Sequence, residues 1–216
     1  MPDPTGGITV SGEGVVRAAP DRADLALGVS VQRARSEEAR RDAAAAVEAM
    51  LAALRSAGVE QRDIQTRRLS ITPEYDYEKG KQRPRGYRAR NALSVIVRDI
   101  DRVGEIVDAA LAAAGDAAIM EGLDLDIHDR EGLQAQALVA AMSDARRKAE
   151  VLAEVAGARL GAVTRIVEGR EGWQPEPRFA MFTAQAELRA ETPVVPGEVS
   201  VQASVTVTWA IDPGSD

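Results

Sequence analysis

The C-terminal part of the chain alternates between apolar and polar residues, and this pattern constrains the fold more than any other feature. From residue 199 to 211, every second position is apolar: Val199, Val201, Ala203, Val205, Val207, Trp209 and Ile211. An earlier stretch, residues 24–31, repeats the pattern with Leu25, Leu27, Val29 and Val31. A period of two residues predicts strands that are buried on one face. The chain must therefore cover the apolar face of a sheet with a second layer.

Three other segments have the 3.6-residue period of amphipathic helices. They are predicted over residues 36–57, from Asp99 to about residue 114, and over residues 133–156, with Ser36 and Asp99 as N-caps. Gly58, Gly115 and Gly157 follow as stop residues. The apolar stripes are Ala43, Val47, Met50, Leu51 and Leu54; Val103, Ile106, Val107, Ala110 and Leu111; and Leu133, Ala137, Leu138, Ala141, Ala145, Ala149, Leu152 and Ala156.

The remaining strands are predicted over residues 8–16, 63–77, 87–97, 119–128 and 161–168. Pro73 marks a bend or a sheet edge, and the polar residues 78–86 predict a long hairpin loop. The resulting order is β-β-α-β-β-α-β-α-β-β. It predicts an α+β fold of antiparallel sheets with three main helices packed on them, in two interleaved lobes.

The chain has 216 residues, which suits one large domain or two small ones. We expect the folded part to span residues 8–211, with disordered ends at 1–7 and 212–216. Residues 169–190 are rich in proline and large apolar groups, and they predict an irregular arm.

The composition excludes several kinds of chemistry. With no cysteine and one histidine, the chain has no thiolate nucleophile and no cysteine metal site. A net charge of −7 disfavours nucleic-acid partners, and no apolar run approaches the ~18 residues of a spanning helix. Aromatic residues are 3% of the chain, so additional burial in a homo-oligomer would stabilise it. We therefore expect no enzyme activity, no cofactor, no nucleic-acid partner and no transmembrane segment.

The glycine-rich sequence Ser11-Gly12-Glu13-Gly14 superficially looks like a phosphate-binding loop. It lacks the third glycine and the following helix that such a loop needs. A strand with a bulge, or with a close backbone neighbour, is the favoured interpretation.

Asp124, Asp126 and His128 alternate along a predicted strand, so their side chains would share one face. Two carboxylates and an imidazole are a credible metal-ligand set. The alternative is a solvent-exposed strand face opposite Leu123, Leu125 and Ile127, and it is the favoured interpretation.

All three tyrosines flank a basic segment in the predicted hairpin. The tyrosines are Tyr75, Tyr77 and Tyr87, and the basic residues are Lys79, Lys81, Arg83, Arg85, Arg88 and Arg90. Basic charge beside aromatic rings is typical of single-strand nucleic-acid platforms. On an acidic protein, a solvated hairpin tip or a subunit contact is favoured, since tyrosine and arginine are enriched in interfaces.

The irregular arm concentrates large apolar side chains, namely Trp173, Phe179, Met181 and Phe182. Such groups dock on the chain's own core or grip a neighbouring molecule, and the second interpretation is slightly favoured.

Five blocks of the sequence resemble the SIMPL domain family, in that family's order. They are ITVSGEGVVRAAPDRADL, GVEQRDIQTRRLSITPEYDY, GYRARNALSVIVRDIDRVGEIVDAAL, DARRKAEVLAEVAGARLGAV and TPVVPGEVSVQASVTVTWAI, and they cover nearly the whole chain. One departure is Ala114-Gly115-Asp116, where the family has Gly-Ala-Asn.

The resemblance implies an α+β protein with no accepted catalytic activity, so no catalytic residues carry over. It implies an oligomer, ring-like or channel-like in some members, linked to stress tolerance that includes oxidative stress. A small-ligand or metal-binding module and a protein-binding adaptor stay open as alternatives. Bacterial members are usually exported, which implies a periplasmic or cell-envelope location if a leader was removed. The location would be cytoplasmic if Met1 is the native start.

Overall fold

The computed structural model describes residues 6–78, 81–169, 192 and 194–213. In this part of the chain, strands and α-helices follow in the predicted order. Their bounds are β1 Gly7–Ala18, β2 Arg22–Arg33, α1 Ser36–Ser56, β3 Ile64–Glu78, β4 Lys81–Val97, α2 Val103–Ala114, β5 Ala118–Asp126, α3 Arg130–Val155, β6 Ala158–Glu168 and β7 Val199–Pro213. Two antiparallel sheets and three helices confirm the α+β class.

The described chain forms two compact units, and each unit is built from separate stretches of sequence. One contains β1, α3, β6 and β7. The other contains β2, α1, β3, β4, α2 and β5, together with Thr192 and Val194. The first unit requires both ends of the chain, because Gly7 at the start of β1 pairs with Ala210 of β7.

A four-stranded antiparallel sheet forms the centre of the larger unit, in the strand order β3-β4-β2-β5. The period-two pattern of β2 directs Leu25, Leu27 and Val29 toward α1 and α2, and these side chains are almost completely buried. Each such burial contributes about 1.5–3 kcal/mol to hydrophobic stabilisation. Met50 of α1 and Val107 of α2 complete the same core.

Small residues bring a helix and a strand close together in the other unit, whose sheet has the order β1-β7-β6. The helix α3 presents a stripe of fully buried alanines that includes Ala141 and Ala145. A Cβ atom added to Gly12 would lie 2.0 Å from the carbonyl oxygen of Ala141. The glycine motif is therefore a close backbone approach, one of the two forms that the sequence favoured.

The edge position of β3 explains Pro73. Proline cannot donate a backbone hydrogen bond, and sheets tolerate it mainly at edges. Among the described strands, β3 pairs with β4 alone, and Pro73 lies opposite Tyr87 there. Of the two predictions for Pro73, a bend or a sheet edge, the structure confirms the edge.

The starts of two helices differ from the prediction. Ser36 is the first helical residue, and the cap position belongs to Arg35, whose side chain makes no capping hydrogen bond. Asp99 precedes a 3₁₀ turn, Ile100–Arg102, so α2 begins only at Val103. The predicted stops are confirmed, since Gly58, Gly115 and Gly157 all have positive φ.

Three other details also differ. The prediction of a long loop over residues 78–86 is wrong, because β3 and β4 stay paired with each other as far as Glu78 and Lys81. A two-stranded ribbon exposed on both faces has no apolar alternation for the sequence to reveal. The strand β5 ends at Asp126, and Leu152 of the predicted α3 stripe is 49% exposed.

None of the helices in the described ranges is both long and apolar enough to cross a lipid bilayer.

Candidate functional site

The hairpin of β3 and β4 is the most distinctive surface of the larger unit. Its strands pair from Ile64 with Val95 at the base to Glu78 with Lys81 at the tip. Since side chains alternate between the two faces of a strand, Tyr75 and Tyr87 lie on one side of the hairpin and most of its arginines lie on the other. We call these the tyrosine face and the arginine face.

The tyrosine face is a row of exposed apolar side chains. Leu69 is 65% exposed and Tyr75 is 46% exposed, and Ile71 and Tyr87 are exposed beside them. The helix α1 packs on α2, β2 and β4 and only slightly on β3, so none of the described elements covers the outer part of this face. The fold therefore leaves apolar surface on the strand at the sheet edge.

A shallow cavity of about 340 Å³ lies at the outer end of this face, lined by Ala34, Pro73, Tyr75, Pro84, Arg85, Gly86 and Tyr87. Gly86 has a φ of +121°, and a Cβ atom there would lie 2.3 Å from the carbonyl oxygen of Arg33. Only glycine suits this position. It holds the hairpin against the end of β2 and fixes the cavity.

The structure brings together three of the predicted interaction residues, Tyr75, Arg85 and Tyr87. Arg85 also donates a hydrogen bond of 3.3 Å to Asp76, and both side chains are exposed. Arg83 is exposed at a position that pairs with Asp76 across the hairpin.

Other predicted residues lie outside the described part of the protein. Tyr77 belongs to β3, but its side chain is not described. Trp173, Phe179 and Phe182, with the rest of the predicted arm, also fall outside it, as does Lys79. Their interaction roles stay predictions.

The arginine face lies on the side of the sheet opposite α1 and α2. It contains a cavity of about 610 Å³ lined by Arg67, Arg68, Ser70, Thr72, Arg88, Arg90, Ala92 and Glu121. Arg88 and Arg90 belong to the basic segment that the sequence indicated, whereas Arg67, Arg68 and Glu121 were not among the predicted residues.

Hydrogen bonds fix the two arginines of β4 on this face. Arg88 donates to Glu74 at 2.7 Å, to Gln32 at 3.1 Å and to Ser30 at 3.3 Å. The bond from Arg88 holds the pKa of the Glu74 carboxyl below its ordinary value. Arg90 donates to Glu121. The face is therefore a preorganised polar surface.

The predicted metal ligands lie near the other edge of the same sheet. Asp124 pairs with Asp24 across β2 and β5, whereas Asp126 accepts a hydrogen bond of 2.8 Å from Arg22. His128 lies beyond the end of β5, where its backbone N–H donates to Asp21 at 2.7 Å.

Across the described ranges, no group of three or more His, Cys, Asp or Glu residues is arranged to hold a metal ion. Asp126 is engaged by a cation of the protein itself. The metal role of Asp124, Asp126 and His128 stays a prediction.

Leu69 and Ile71 of the tyrosine face were not predicted as interaction residues, although the sequence contained a pattern that could have indicated them. Leu69, Ile71 and Tyr75 share one phase of the period-two pattern of β3. Their exposure had no such signal, because it follows from the position of β3 at the sheet edge.

Comparison with known proteins places this architecture in a family. The SIMPL family model, described as "Protein of unknown function (DUF541)", matches residues 8–209. The 26 kDa periplasmic immunogenic protein of Brucella melitensis is similar, at 33% identity over 94% of this chain and 84% of that protein. The uncharacterized protein YggE of Escherichia coli K12 is 29% identical over 95% of this chain and 80% of its own.

A further YggE protein, from Edwardsiella ictaluri, is 30% identical over 82% of this chain and 74% of its own. The family match covers nearly all the strands and helices described above. The chain belongs to the SIMPL family.

Proposed function

We propose that this chain is a non-catalytic SIMPL-family protein that assembles into a homo-oligomer through the tyrosine face and protects the cell envelope against stress, including oxidative stress. The observation that carries the proposal is the row of exposed apolar side chains Leu69, Ile71, Tyr75 and Tyr87. Grouped apolar side chains on a surface mark contact sites, and tyrosine is enriched in interfaces.

The edge position of β3 supports self-association. An edge strand presents unpaired backbone groups that a second chain can pair with, unless charge or proline protects the edge. Here Pro73 interrupts the donors, while Leu69 and Ile71 favour apolar contact. Side-chain packing, with limited backbone pairing, is the expected mode of contact.

A ring-like assembly, which the family resemblance implies, needs two different surfaces that meet. The tyrosine face supplies one surface. The second is the C-terminal part of α3, where Val151 and Val155 are neighbours one turn apart and are both more than half exposed. In the proposal, the tyrosine face of one copy packs against α3 of the next.

The proposed location and physiological role rest on similarity to other members of the family. The printed name of the Brucella melitensis relative describes a periplasmic immunogenic protein. We therefore place this chain in the periplasm in the proposal. The proposed mechanism needs no catalytic residue, in keeping with a sequence that has no cysteine and one histidine.

The first prediction concerns assembly, measured by native mass spectrometry and by size-exclusion chromatography with light scattering. The wild-type chain is expected to form one discrete oligomer at micromolar concentration. Leu69→Asp places a charge in the contact and is expected to weaken association about 30-fold or more, which is the effect typical of an interface hot spot. Circular dichroism confirms that the variant is folded.

Val195→Asp is the matched control, because Val195 and Leu69 are both 65% exposed. It should leave the oligomer unchanged. A wild-type monomer, or a Leu69→Asp chain that assembles like wild type, would overturn the proposal. Dissociation by Val155→Asp as well as by Leu69→Asp would support the ring contact with α3.

The cellular role is tested in a strain that lacks the gene. Peroxide survival should be restored by the wild-type chain and not by Leu69→Asp produced at equal level. Full restoration by the variant would separate stress protection from assembly.

A protein-binding adaptor is the second candidate, favoured by the same exposed tyrosines. It predicts a monomer whose co-purifying protein is lost in the variant Tyr75→Ala.

A further inference from the structure

We propose that the arginine face is a binding site for a ligand that carries multiply charged phosphoryl groups. The cavity on this face is lined by four guanidinium groups and one carboxylate, Glu121. The chain as a whole has a net charge of −7. The local charge is therefore the reverse of the global one, which concentrates attraction for anions at this face.

A β-bulge creates the cluster. Thr66 pairs with Leu93 and Arg68 pairs with the next residue, Ala92, so Arg67 is an extra residue in β3. In a regular strand, neighbouring side chains point to opposite faces. A bulge changes that direction, and both Arg67 and Arg68 line the cavity.

A second bulge acts on the opposite side of the cavity. Gly122 pairs with Ala26 and Met120 pairs with Leu27, so Glu121 is the extra residue of β5. Its carboxylate accepts a hydrogen bond from Arg90. Bulges cluster near binding sites because they re-aim side chains, and here two of them direct charged groups to one cavity.

The four arginines differ in their partners. Arg88 is held by Glu74, and Arg90 by Glu121. Arg67 and Arg68 form no ion pair with any residue in the described ranges. Two fixed arginines therefore position the site, and two neighbouring arginines are open to an incoming anion.

The donors fit a phosphoryl group. A guanidinium presents a planar fork of N–H donors that binds phosphate in a bidentate manner. Ser70 and Thr72 add hydroxyl donors to the lining. Two open guanidinium groups favour a group with charge near −2 over a single carboxylate.

A single-stranded nucleic acid fits this face less well. Such ligands need aromatic rings on which bases stack beside the basic groups. Tyr75 and Tyr87 lie on the tyrosine face, in a different cavity. The phosphoryl group is therefore expected on a small soluble compound or on a lipid headgroup.

Isothermal titration calorimetry of the full chain with inorganic pyrophosphate at low salt tests the site. Wild type should bind, and Arg67→Gln/Arg68→Gln should lose about tenfold or more of the affinity, since hydrogen bonds to charged groups are strong. The control is Arg40→Gln/Arg41→Gln, an adjacent exposed pair on α1 that removes the same charge. It should bind within about twofold of wild type, as expected for charges outside the site.

Two results would refute the site: no binding by wild type, or equal loss in both double variants. Flotation with phosphatidylcholine vesicles containing phosphatidic acid identifies the source of the phosphoryl group. Binding that depends on Arg67 and Arg68 indicates a lipid headgroup, and pyrophosphate binding alone indicates a soluble compound. Tighter binding of an oligothymidine, lost in the same variant, would replace the proposal with a nucleic-acid site.

Discussion

Asp63 is a buried charged residue in the short turn before β3, and it is 6% exposed. Arg98 donates to its two carboxylate oxygens, at 2.9 Å from Nε and 2.8 Å from Nη2. These hydrogen bonds, with the positive charge of Arg98, hold the pKa of the Asp63 carboxyl below its ordinary value. The fork geometry joins the start of β3 to the end of β4.

The second prediction is a pH-dependent loss of stability in Asp63→Asn. A carboxyl whose pKa is lower in the folded state stabilises that state above its unfolded pKa. That contribution is lost as the pH falls from about 4 through the folded pKa. At pH 7 the variant should lose about 1–2 kcal/mol, and the difference should vanish in strong acid.

Urea denaturation of wild type and variant, from pH 7 down to pH 2.5, measures this difference. Glu105→Gln is the control, because Glu105 is exposed and also paired with an arginine, Arg102. Exposed pairs contribute little, so this variant should remain close to wild type. A constant Asp63→Asn deficit at every pH would contradict the assigned cause.

At the scale of elements, α3 and β1 pack together through the smallest side chains. Added Cβ atoms at Gly12 and Gly14 would each lie 2.0 Å from a carbonyl oxygen of α3. The buried stripe of α3 is entirely alanine, from Ala137 to Ala153. Backbones approach closely only where both elements lack bulk, so the glycine motif is structural.

The third prediction is that Gly12→Ala pushes α3 away from β1. The new methyl group would also lie 2.5 Å from the backbone nitrogen of Ala145. Overpacking of this kind typically costs about 1–3 kcal/mol, and a backbone clash lies at the upper end. Thermal unfolding monitored by circular dichroism should show a clear fall in melting temperature.

Gly122→Ala provides the comparison, because nothing lies within 4 Å of a Cβ atom there and the residue is also in a strand. It should unfold close to wild type. Equal melting temperatures for the two variants would mean that Gly12 has no packing role.

At the scale of the whole molecule, the proposed assembly would link the stability of the fold to the protein concentration. A chain that binds copies of itself in the folded state gains stability with concentration. The melting temperature of the wild-type protein should rise as the protein concentration is increased from about 1 to about 100 μM. Leu69→Asp should lose this dependence, and a concentration-independent wild type would contradict the proposed assembly.

Local sequence patterns predicted much of the fold. The alternation of β2 and β7 and the three helical stripes predicted five elements, and the remaining five strands were predicted between them in the correct order. The residues of the two candidate sites were harder to predict from the sequence. Tyr75, Arg85 and Tyr87 were found by composition, whereas Arg67 and Glu121 reach the arginine face through bulges that no periodicity reveals.

The sequence by itself determined the α+β class, the buried faces and the SIMPL lineage, because periodicity, helix stops and family motifs are written within a few consecutive residues. Only the tertiary structure decided that β3 is an edge strand, that Leu69 is exposed and that Arg67 and Arg68 share a cavity. These properties depend on which distant strands pair, and in what register. Strand pairing is a property of the whole chain.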